Sequence, residues 1–217
     1  LRFLDESEKA TKIIGVDLNP PRYSTPKMDF HRLDVRDPSI VNLFTLNNVE
    51  VVVHLAFIVN PLRDDALMHD IDVNGTRNVL KATAACVARH LVIASSTSAF
   101  GAHPDNPEWL TEKDHPRLQR NYTYAADKYE NEMIVRIFKE ENPHVKVAVI
   151  RPCIVYGPNV DNYLSRFIVR LPFFPAVDGV KPDMQFVHED DVAEVFLRVV
   201  EMEAVGYFHA VGEGVIN

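Results

Sequence analysis

The 217-residue chain has few of the residues that build disulfide or metal frameworks. Its two cysteines, Cys86 and Cys153, lie among apolar neighbours without metal-like spacing, and its nine histidines show no paired helical spacing. This composition argues against a disulfide framework and gives no pattern for a metal site. We therefore expect no bound metal and a reducing, cytoplasmic location.

Long apolar runs, basic clusters and stretches with the form of a signal peptide do not occur in the sequence either. The formal net charge of -8 argues against nucleic acid and against an anionic membrane surface, because both bind concentrated Lys and Arg. A small molecule is the expected partner. Hydrophobic residues make up 47% of the chain, which is enough for a sizeable core.

Short β-branched runs alternate with longer helical patterns along the chain. This alternation predicts the α/β class, with a doubly wound parallel sheet covered on both faces. The predicted strands are 12–18, 28–33, 51–55, 91–94, 145–150 and 206–211, and the predicted helices are 39–45, 67–85, 124–141 and 190–202. Ligands of such sheets bind beyond the carboxyl ends of the strands, so residues that follow each strand are candidate site residues.

One predicted helix begins with Tyr124-Ala-Ala-Asp-Lys128. Residues four apart share a helix face, so the Lys128 ammonium can favour the phenolate form of Tyr124, whose reference pKa is about 10. A lowered pKa suits proton transfer at an alcohol or ketone. The same spacing at Tyr23 and Lys27 encloses Pro26 and does not fit a helix. An ordinary amphipathic helix with a surface Tyr and Lys stays an open alternative on the pentapeptide alone.

Acidic residues end or follow the first two predicted strands. Asp17 is placed to accept hydrogen bonds from both hydroxyls of an adenosine ribose, which favours NAD, although the nearby Arg22 leaves NADP open. Asp34 is placed to meet an adenine amino group. A helix cap or a turn is the alternative role for each acid. After the third strand, small Ala56 lets a cofactor approach the backbone, whereas His54 is interpreted as a packed strand residue.

The sequence contains no glycine-rich turn that leads into a helix, the element that holds a dinucleotide pyrophosphate. In that fingerprint the acidic residue follows the glycines by about 20 positions, which from Asp17 points to residue 1 or before it. Residues 1–9 are typical of the second half of the helix that such a turn begins. We therefore expect the first strand and the glycine loop upstream of the printed chain.

In their order and spacing, these motifs resemble the extended short-chain dehydrogenase/reductase family, in its NAD-dependent epimerase/dehydratase group. The motifs that carry the resemblance are Asp17, 34–37, 54–56, 75–80, 95–101, Tyr124 with Lys128, 151–158 and 186–193. The resemblance implies a Rossmann-type sheet with an NAD-binding domain over 1–158. It also implies a small, partial C-terminal substrate lobe over 159–217 that returns to the sheet, and a homodimer.

The resemblance further implies roles for individual residues. Tyr124 becomes the acid/base, Lys128 binds the nicotinamide ribose and lowers the tyrosine pKa, and Ser96 positions the substrate oxygen. The residues expected to line the cofactor are Asp17, Asp34, Val35, Leu55, Ala56, Phe57, Ser95, Tyr124, Lys128, Pro152, Cys153, Ile154 and Val155.

The function so predicted is hydride transfer with NAD at a secondary alcohol or ketone, as in an epimerase or dehydratase, with a nucleotide sugar as one candidate substrate. The alternatives are a non-catalytic NAD(P)-binding sensor or interaction protein, and a reductase of a non-sugar alcohol or ketone. Because a sensor has no use for an acid/base pair, the Ser/Tyr/Lys set favours the enzyme.

Two residues depart from the pattern of the members that act on nucleotide sugars. Ile154 stands where those members offer an asparagine to the substrate, and an apolar side chain cannot donate to a diphosphate. Asp72 stands where a helix asparagine is common and brings negative charge near the cofactor pocket. The apolar segment 166–181 has two interpretations, a loop of the substrate lobe and ordinary hydrophobic packing.

Overall fold

The structure, a computed structural model, describes residues 1–163, 166 and 183–216. The apolar segment predicted at 166–181 thus lies outside the described residues, apart from Arg166. The helices are α1 Arg2–Glu6, α2 Ser39–Leu46, α3 Asp65–His69, α4 Gly75–Ala85, α5 Thr123–Glu141 and α6 Glu189–Glu201. The strands are β1 Ile13–Asp17, β2 Met28–Arg32, β3 Val51–His54, β4 His90–Ala94, β5 Lys146–Pro152, β6 Ile154–Tyr156, β7 Phe186–His188 and β8 Gly206–Ala210.

All the strand pairs of the described chain are parallel. A four-stranded sheet has the order β3-β4-β5-β8, while β1 pairs with β2 and β6 pairs with β7. The predicted parallel α/β fold is therefore confirmed. The chain returns to the main sheet at β8, whose residues 206–210 pair with residues 148–152 of β5. The division into an NAD-binding domain and a substrate lobe stays a prediction.

Helices cover both faces of the four-stranded sheet, as a doubly wound fold requires. On one face, side chains of α2, α4 and α5 pack against Leu91 and Ile93 of β4 and against alternate residues of β5. On the other face, α6 packs against Val92, Ala148 and Ile150. Because both faces are buried, β4 and β5 read as continuous apolar runs in the sequence.

The helix predicted at 67–85 is interrupted. Its first part is α3, its last part is α4, and a single π-helical turn at Asp70–Asn74 joins them. Gly75 follows this turn, where a Cβ atom would collide with the side chain of Val35. Glycine therefore lets α4 approach the loop after β2, and Asn78 fastens the contact by donating to the carbonyls of Val35 and Asp37 at 2.9 and 2.8 Å.

Candidate active site

The predicted site residues lie at the carboxyl ends of the parallel strands. Leu55, Ala56 and Phe57 follow β3, Ser95 and Ser96 follow β4, and Pro152 ends β5. Helix α5 begins at Thr123, so Tyr124 and Lys128 occupy its first turns. Parallel strands present their carboxyl ends at one edge, and this geometry brings residues distant in sequence to a common place.

Ser96 is held by a short turn and faces Tyr124. It caps the 3₁₀ turn Thr97–Phe100, because its Oγ accepts a hydrogen bond from the N–H of Ser98 at 3.1 Å. Gly101 ends this turn with a φ of +63°, a value that favours glycine. The Ser96 hydroxyl also hydrogen bonds to the Tyr124 side chain, which lowers the pKa of that phenol.

Lys128 is buried beneath the site and fixed by two contacts. Its Nζ donates to the carbonyl of Ala94 at 2.9 Å and lies 3.5 Å from the centroid of the Phe57 ring. Phe57 in turn meets Tyr124 edge to face, with ring centroids 5.2 Å apart. An ammonium has three donors, and within the described chain Ala94 is the hydrogen-bond acceptor that Lys128 uses. Donors thus stay available next to Tyr124.

The expected lowering of the Tyr124 pKa is wrong in this structure. Burial raises the pKa of Tyr124 above its usual value of 10, and the hydrogen bond from Ser96 only partly opposes this rise. The Lys128 ammonium lies 5.8 Å from the Tyr124 ring centroid and directs its hydrogen bond to Ala94. Tyr124 and Lys128 both lie in the first turns of α5, but burial of the phenol is the largest cause of the shift and the Lys128 charge is not one of its causes.

Asp72 and Lys128 are buried groups near this site whose charges attract each other. Burial lowers the pKa of Lys128 to about 7, against the attraction of Asp72 and Glu132. Burial likewise raises the pKa of Asp72 to about 7, against its hydrogen bond from the Ile58 N–H and the attraction of Lys128. The sequence placed Asp72 near the cofactor pocket but gave no sign of its burial, which depends on the π-helical turn.

Among the acids predicted to meet the adenosine, Asp17 is exposed and Asp34 is paired. One oxygen of Asp17 accepts from the N–H of Asn19 at 2.8 Å. The Asp34 carboxylate binds the Arg36 guanidinium, with Oδ2 2.6 Å from Nη2, and Arg36 also contacts Asp70. Arg36 therefore lowers the pKa of Asp34. The role of each acid toward a cofactor stays a prediction.

Ser95 has a different environment from Ser96. Its hydroxyl donates to Glu132 at 2.5 Å, and Glu132 binds the buried guanidinium of Arg151 at 2.7 and 2.9 Å. The Ser95 side chain thus belongs to a buried polar network, and its contact with a cofactor stays a prediction.

The cofactor residues predicted after β5 bridge two sheets. Pro152 ends the main sheet opposite Ala210, and the N–H of Cys153 donates to the Ala210 carbonyl at 3.1 Å. Ile154 and Val155 then pair with β7. Their predicted contact with a nicotinamide is not tested by this arrangement. Val35, a further predicted cofactor residue, packs against the first helical residue of α4.

His54 is a packed strand residue, as predicted. It is buried, and its Nε2 lies 2.9 Å from the hydroxyl oxygen of Thr76. Sequence reasoning missed the pair of half-exposed His69 and buried Asp127, whose Nδ1 and Oδ1 atoms are 2.7 Å apart. These residues come together through packing of α3 on α5, for which the sequence gave no signal.

The described residues include no group of three or more His, Cys, Asp or Glu side chains placed to hold a metal ion. Across the same residues, no helix is both long and apolar enough to span a membrane.

A parallel sheet with helices on both faces, and with Ser, Tyr and Lys at its carboxyl edge, defines a Rossmann-type protein of the short-chain dehydrogenase/reductase class. The profile of the NAD dependent epimerase/dehydratase family matches residues 2–210, and the chain belongs to this family.

Curated relatives match the chain over part of their own length. An uncharacterised protein of Mycobacterium tuberculosis is 26% identical over 98% of the chain, which spans 58% of that protein. The N-acetyl-α-D-glucosaminyl-diphospho-ditrans,octacis-undecaprenol 4-epimerase of Escherichia coli O157:H7 is 30% identical over 61% of the chain and 40% of its own length.

Solved structures share the fold at low sequence identity. The dTDP-glucose 4,6-dehydratase DesIV of Streptomyces venezuelae, solved with NAD bound, has a TM-score of 0.80 and 22% identity over 99% of this chain and 70% of its own. The UDP-glucose 4-epimerase of Thermotoga maritima, solved with UDP-glucose, has a TM-score of 0.79 and 21% identity over 96% and 72%.

Proposed function

We propose that the protein is an NAD-dependent oxidoreductase of the epimerase/dehydratase type, which acts at a secondary alcohol or ketone of a nucleotide sugar. The observation that carries this proposal is the meeting of Ser96, Tyr124 and Lys128 at one sheet edge, although they come from a strand end and a separate helix. The family match and the UDP-glucose 4-epimerase among the similar structures support a nucleotide sugar, whereas the lipid-linked diphosphosugar in the name of the Escherichia coli relative supports only the broader class of sugar diphosphates.

The residues of this chain fit the nicotinamide end of NAD. Lys128 presents unused N–H donors from a buried position, which suits the hydroxyls of a ribose, and Phe57 supplies an apolar wall beside it. Asp17, at the end of β1, fits the adenosine ribose. When bound, NAD supplies the hydride chemistry, and the protein supplies orientation.

Tyr124 then exchanges a proton with the reacting oxygen of the substrate. The Ser96 hydroxyl, which already hydrogen bonds to the phenol, positions the same oxygen and polarises it. The raised pKa of Tyr124 keeps the phenol protonated, which suits it as the acid in reduction of a ketone, where NADH would give the hydride and the phenol would give the proton. A bound positive charge next to the phenol favours the phenolate that the reverse direction needs.

Replacement of Tyr124 by Phe tests the proposal in the full-length protein. Phe keeps the ring that packs on Phe57 but removes the proton carrier, so we expect turnover to fall about 10²- to 10⁴-fold while NAD still binds. Turnover is measured as interconversion of nucleotide sugars and as reduction of bound nicotinamide, and NAD binding is measured by calorimetry.

Tyr23→Phe is the matched control, because Tyr23 has the same spacing to a lysine but lies on an exposed loop and hydrogen bonds to Asp5. It should leave turnover unchanged. A Tyr124→Phe protein as active as the wild type contradicts the acid/base role. A wild-type protein that binds NAD but converts neither nucleotide sugars nor simple secondary alcohols favours the sensor alternative, and one that acts only on simple alcohols favours the non-sugar reductase.

A further inference from the structure

Asp72 is an almost completely buried carboxylate in an unusual piece of backbone. It lies in the π-helical turn Asp70–Asn74 with 1% of its surface exposed. Single π-helical turns occur mostly inside α-helices and frequently at functional sites. Its carbonyl accepts from Thr76 Oγ1 at 2.7 Å and from Asn131 Nδ2 of α5 at 3.0 Å, so the turn is fixed against the helix that carries Tyr124 and Lys128.

The Asp72 side chain is incompletely paired. Oδ1 accepts from the N–H of Ile58 at 2.7 Å, whereas Oδ2 is buried and has no hydrogen-bond partner among the described residues. A buried carboxylate without full pairing is costly, so a compensating charge is expected nearby. Lys128 lies in the surroundings of Asp72, because its Nζ contacts the ring of Phe57, the neighbour of Ile58, and because it precedes Asn131 by one turn of α5. The charges of Lys128 and of His69 both attract the Asp72 carboxylate.

The other charged groups around Lys128 are already neutralised or paired. Glu132, which also attracts Lys128, is bound through both oxygens to Arg151. Asp127, the neighbour of Lys128 in sequence, binds His69 of α3 through Oδ1. Its Oδ2 is also buried without a hydrogen-bond partner among the described residues, but Asp127 is not among the carboxylates that attract Lys128. Burial and the Lys128 charge both lower the pKa of His54, so its imidazole is neutral at neutral pH. Tyr124 is protonated in the same environment. Asp72 is therefore left as the unneutralised carboxylate for the buried ammonium.

We propose that Asp72 is the counter-ion of Lys128 and acts as a positioning residue that keeps the ammonium charged inside the site. Its effect on turnover rests on the proposed function, since the Lys128 charge matters for catalysis through the cofactor ribose and Tyr124. The effect of Asp72 on the protonation of Lys128 is independent of the proposed function. An asparagine at this position keeps the acceptor for Ile58 but supplies no charge, so the aspartate changes the pH at which Lys128 loses its proton.

The test is a pH titration of the Lys128 side chain by NMR in lysine-labelled protein, with its signal assigned by loss in Lys128→Met. In Asp72→Asn, the titration midpoint should lie about 1 to 2 pH units below that of the wild type, because an opposite charge nearby raises a lysine pKa by that amount. The alkaline limb of the kcat profile should move in the same direction. Asp72→Ser, which removes the charge with a smaller side chain, should shift the midpoint likewise.

Asp127→Asn is the matched control, because it removes a buried carboxylate next to Lys128 in sequence that is paired with His69 instead. It should leave the Lys128 midpoint in place. The proposal is overturned if Asp72→Asn titrates like the wild type, or if Asp127→Asn shifts the midpoint as far. The NMR result does not depend on turnover, so a failed Tyr124→Phe test with a shifted midpoint removes the proposed function but leaves the Asp72–Lys128 coupling.

Discussion

Ser96 combines a structural and a chemical contact in one hydroxyl. Its oxygen accepts from the Ser98 N–H, and its hydroxyl hydrogen bonds to Tyr124, where it offsets part of the rise in the phenol pKa caused by burial. Ser96→Ala removes both contacts. We expect turnover to fall about 10²-fold, as for loss of one polarising donor, and the pKa of Tyr124 to rise further.

The pH dependence of kcat checks this prediction, since the limb that reports Tyr124 should move to higher pH in Ser96→Ala. Ser98→Ala is the control, because it keeps the backbone N–H that Ser96 accepts. A Ser96→Ala enzyme with wild-type kcat and an unchanged pH profile contradicts the role of this hydroxyl.

At the scale of residues, the sequence predicted those features of the site that depend on the spacing of residues within one helix. The four-residue separation of Tyr124 and Lys128 brought both to one region of α5, as a helix face requires. The direction of the Tyr124 pKa shift could not be predicted in this way, because it depends on burial by residues far apart in sequence. The stacking of Lys128 on Phe57 and the burial of Asp72 have the same origin.

At the scale of elements, a buried ion pair fastens α5 to the main sheet. Glu132 of α5 binds Arg151 of β5 and accepts from Ser95 after β4, and both charged side chains are at most 3% exposed. Because both charges are buried, loss of one partner leaves the other uncompensated. This network holds α5 in register with the strand end that carries Ser96.

Glu132→Gln should therefore lower the free energy of unfolding by about 3 to 5 kcal/mol. Urea unfolding followed by circular dichroism measures the change. Glu194→Gln is the control, because Glu194 pairs with Arg198 on the exposed face of α6 and such a pair contributes less than about 1 kcal/mol. Equal losses in the two variants contradict the structural role of the buried pair.

A comparison of the predicted and observed bounds shows which helices and strands can be located from the sequence. Strands β1 to β5 and β8, and helices α2, α5 and α6, lie within two residues of their predicted positions, because apolar period and turn residues are local. The π-helical turn was missed because its residues continue the helical pattern on both sides. Strands β6 and β7 have three residues each, too few for a period to appear.

At the scale of the whole molecule, the parallel α/β fold and the family are confirmed, whereas the homodimer and the division into two domains stay predictions. The order and spacing of weak motifs carried the family assignment, since each motif alone also fits a turn or a cap. The substrate depends on the contacts of a few side chains, and a fold shared at 22% identity does not determine them.

Three histidines, of which two are buried and His209 is partly buried, link the stability of the whole sheet to pH. His54, His90 and His209 lie on β3, β4 and β8, and burial lowers the pKa of each. For His54 the pKa falls from 6.5 to about 4. The unfolded chain therefore binds a proton at His54 before the folded protein does. This histidine contributes no pH dependence well above pH 6.5, and it destabilises the fold progressively as pH falls from about 6.5 to about 4.

Buried Asp72 and Asp127 oppose this trend, because burial raises the pKa of both carboxyls and the folded state takes up their protons first. The histidine effect is isolated by comparing the wild type with His54→Gln, in which the opposing carboxyls are unchanged. Between about pH 7.5 and pH 4.5, the free energy of unfolding should fall about 2 to 3 kcal/mol further in the wild type than in the variant. Urea unfolding at both pH values measures this difference, and parallel curves for the two proteins would mean that His54 takes up its proton equally well in the folded sheet.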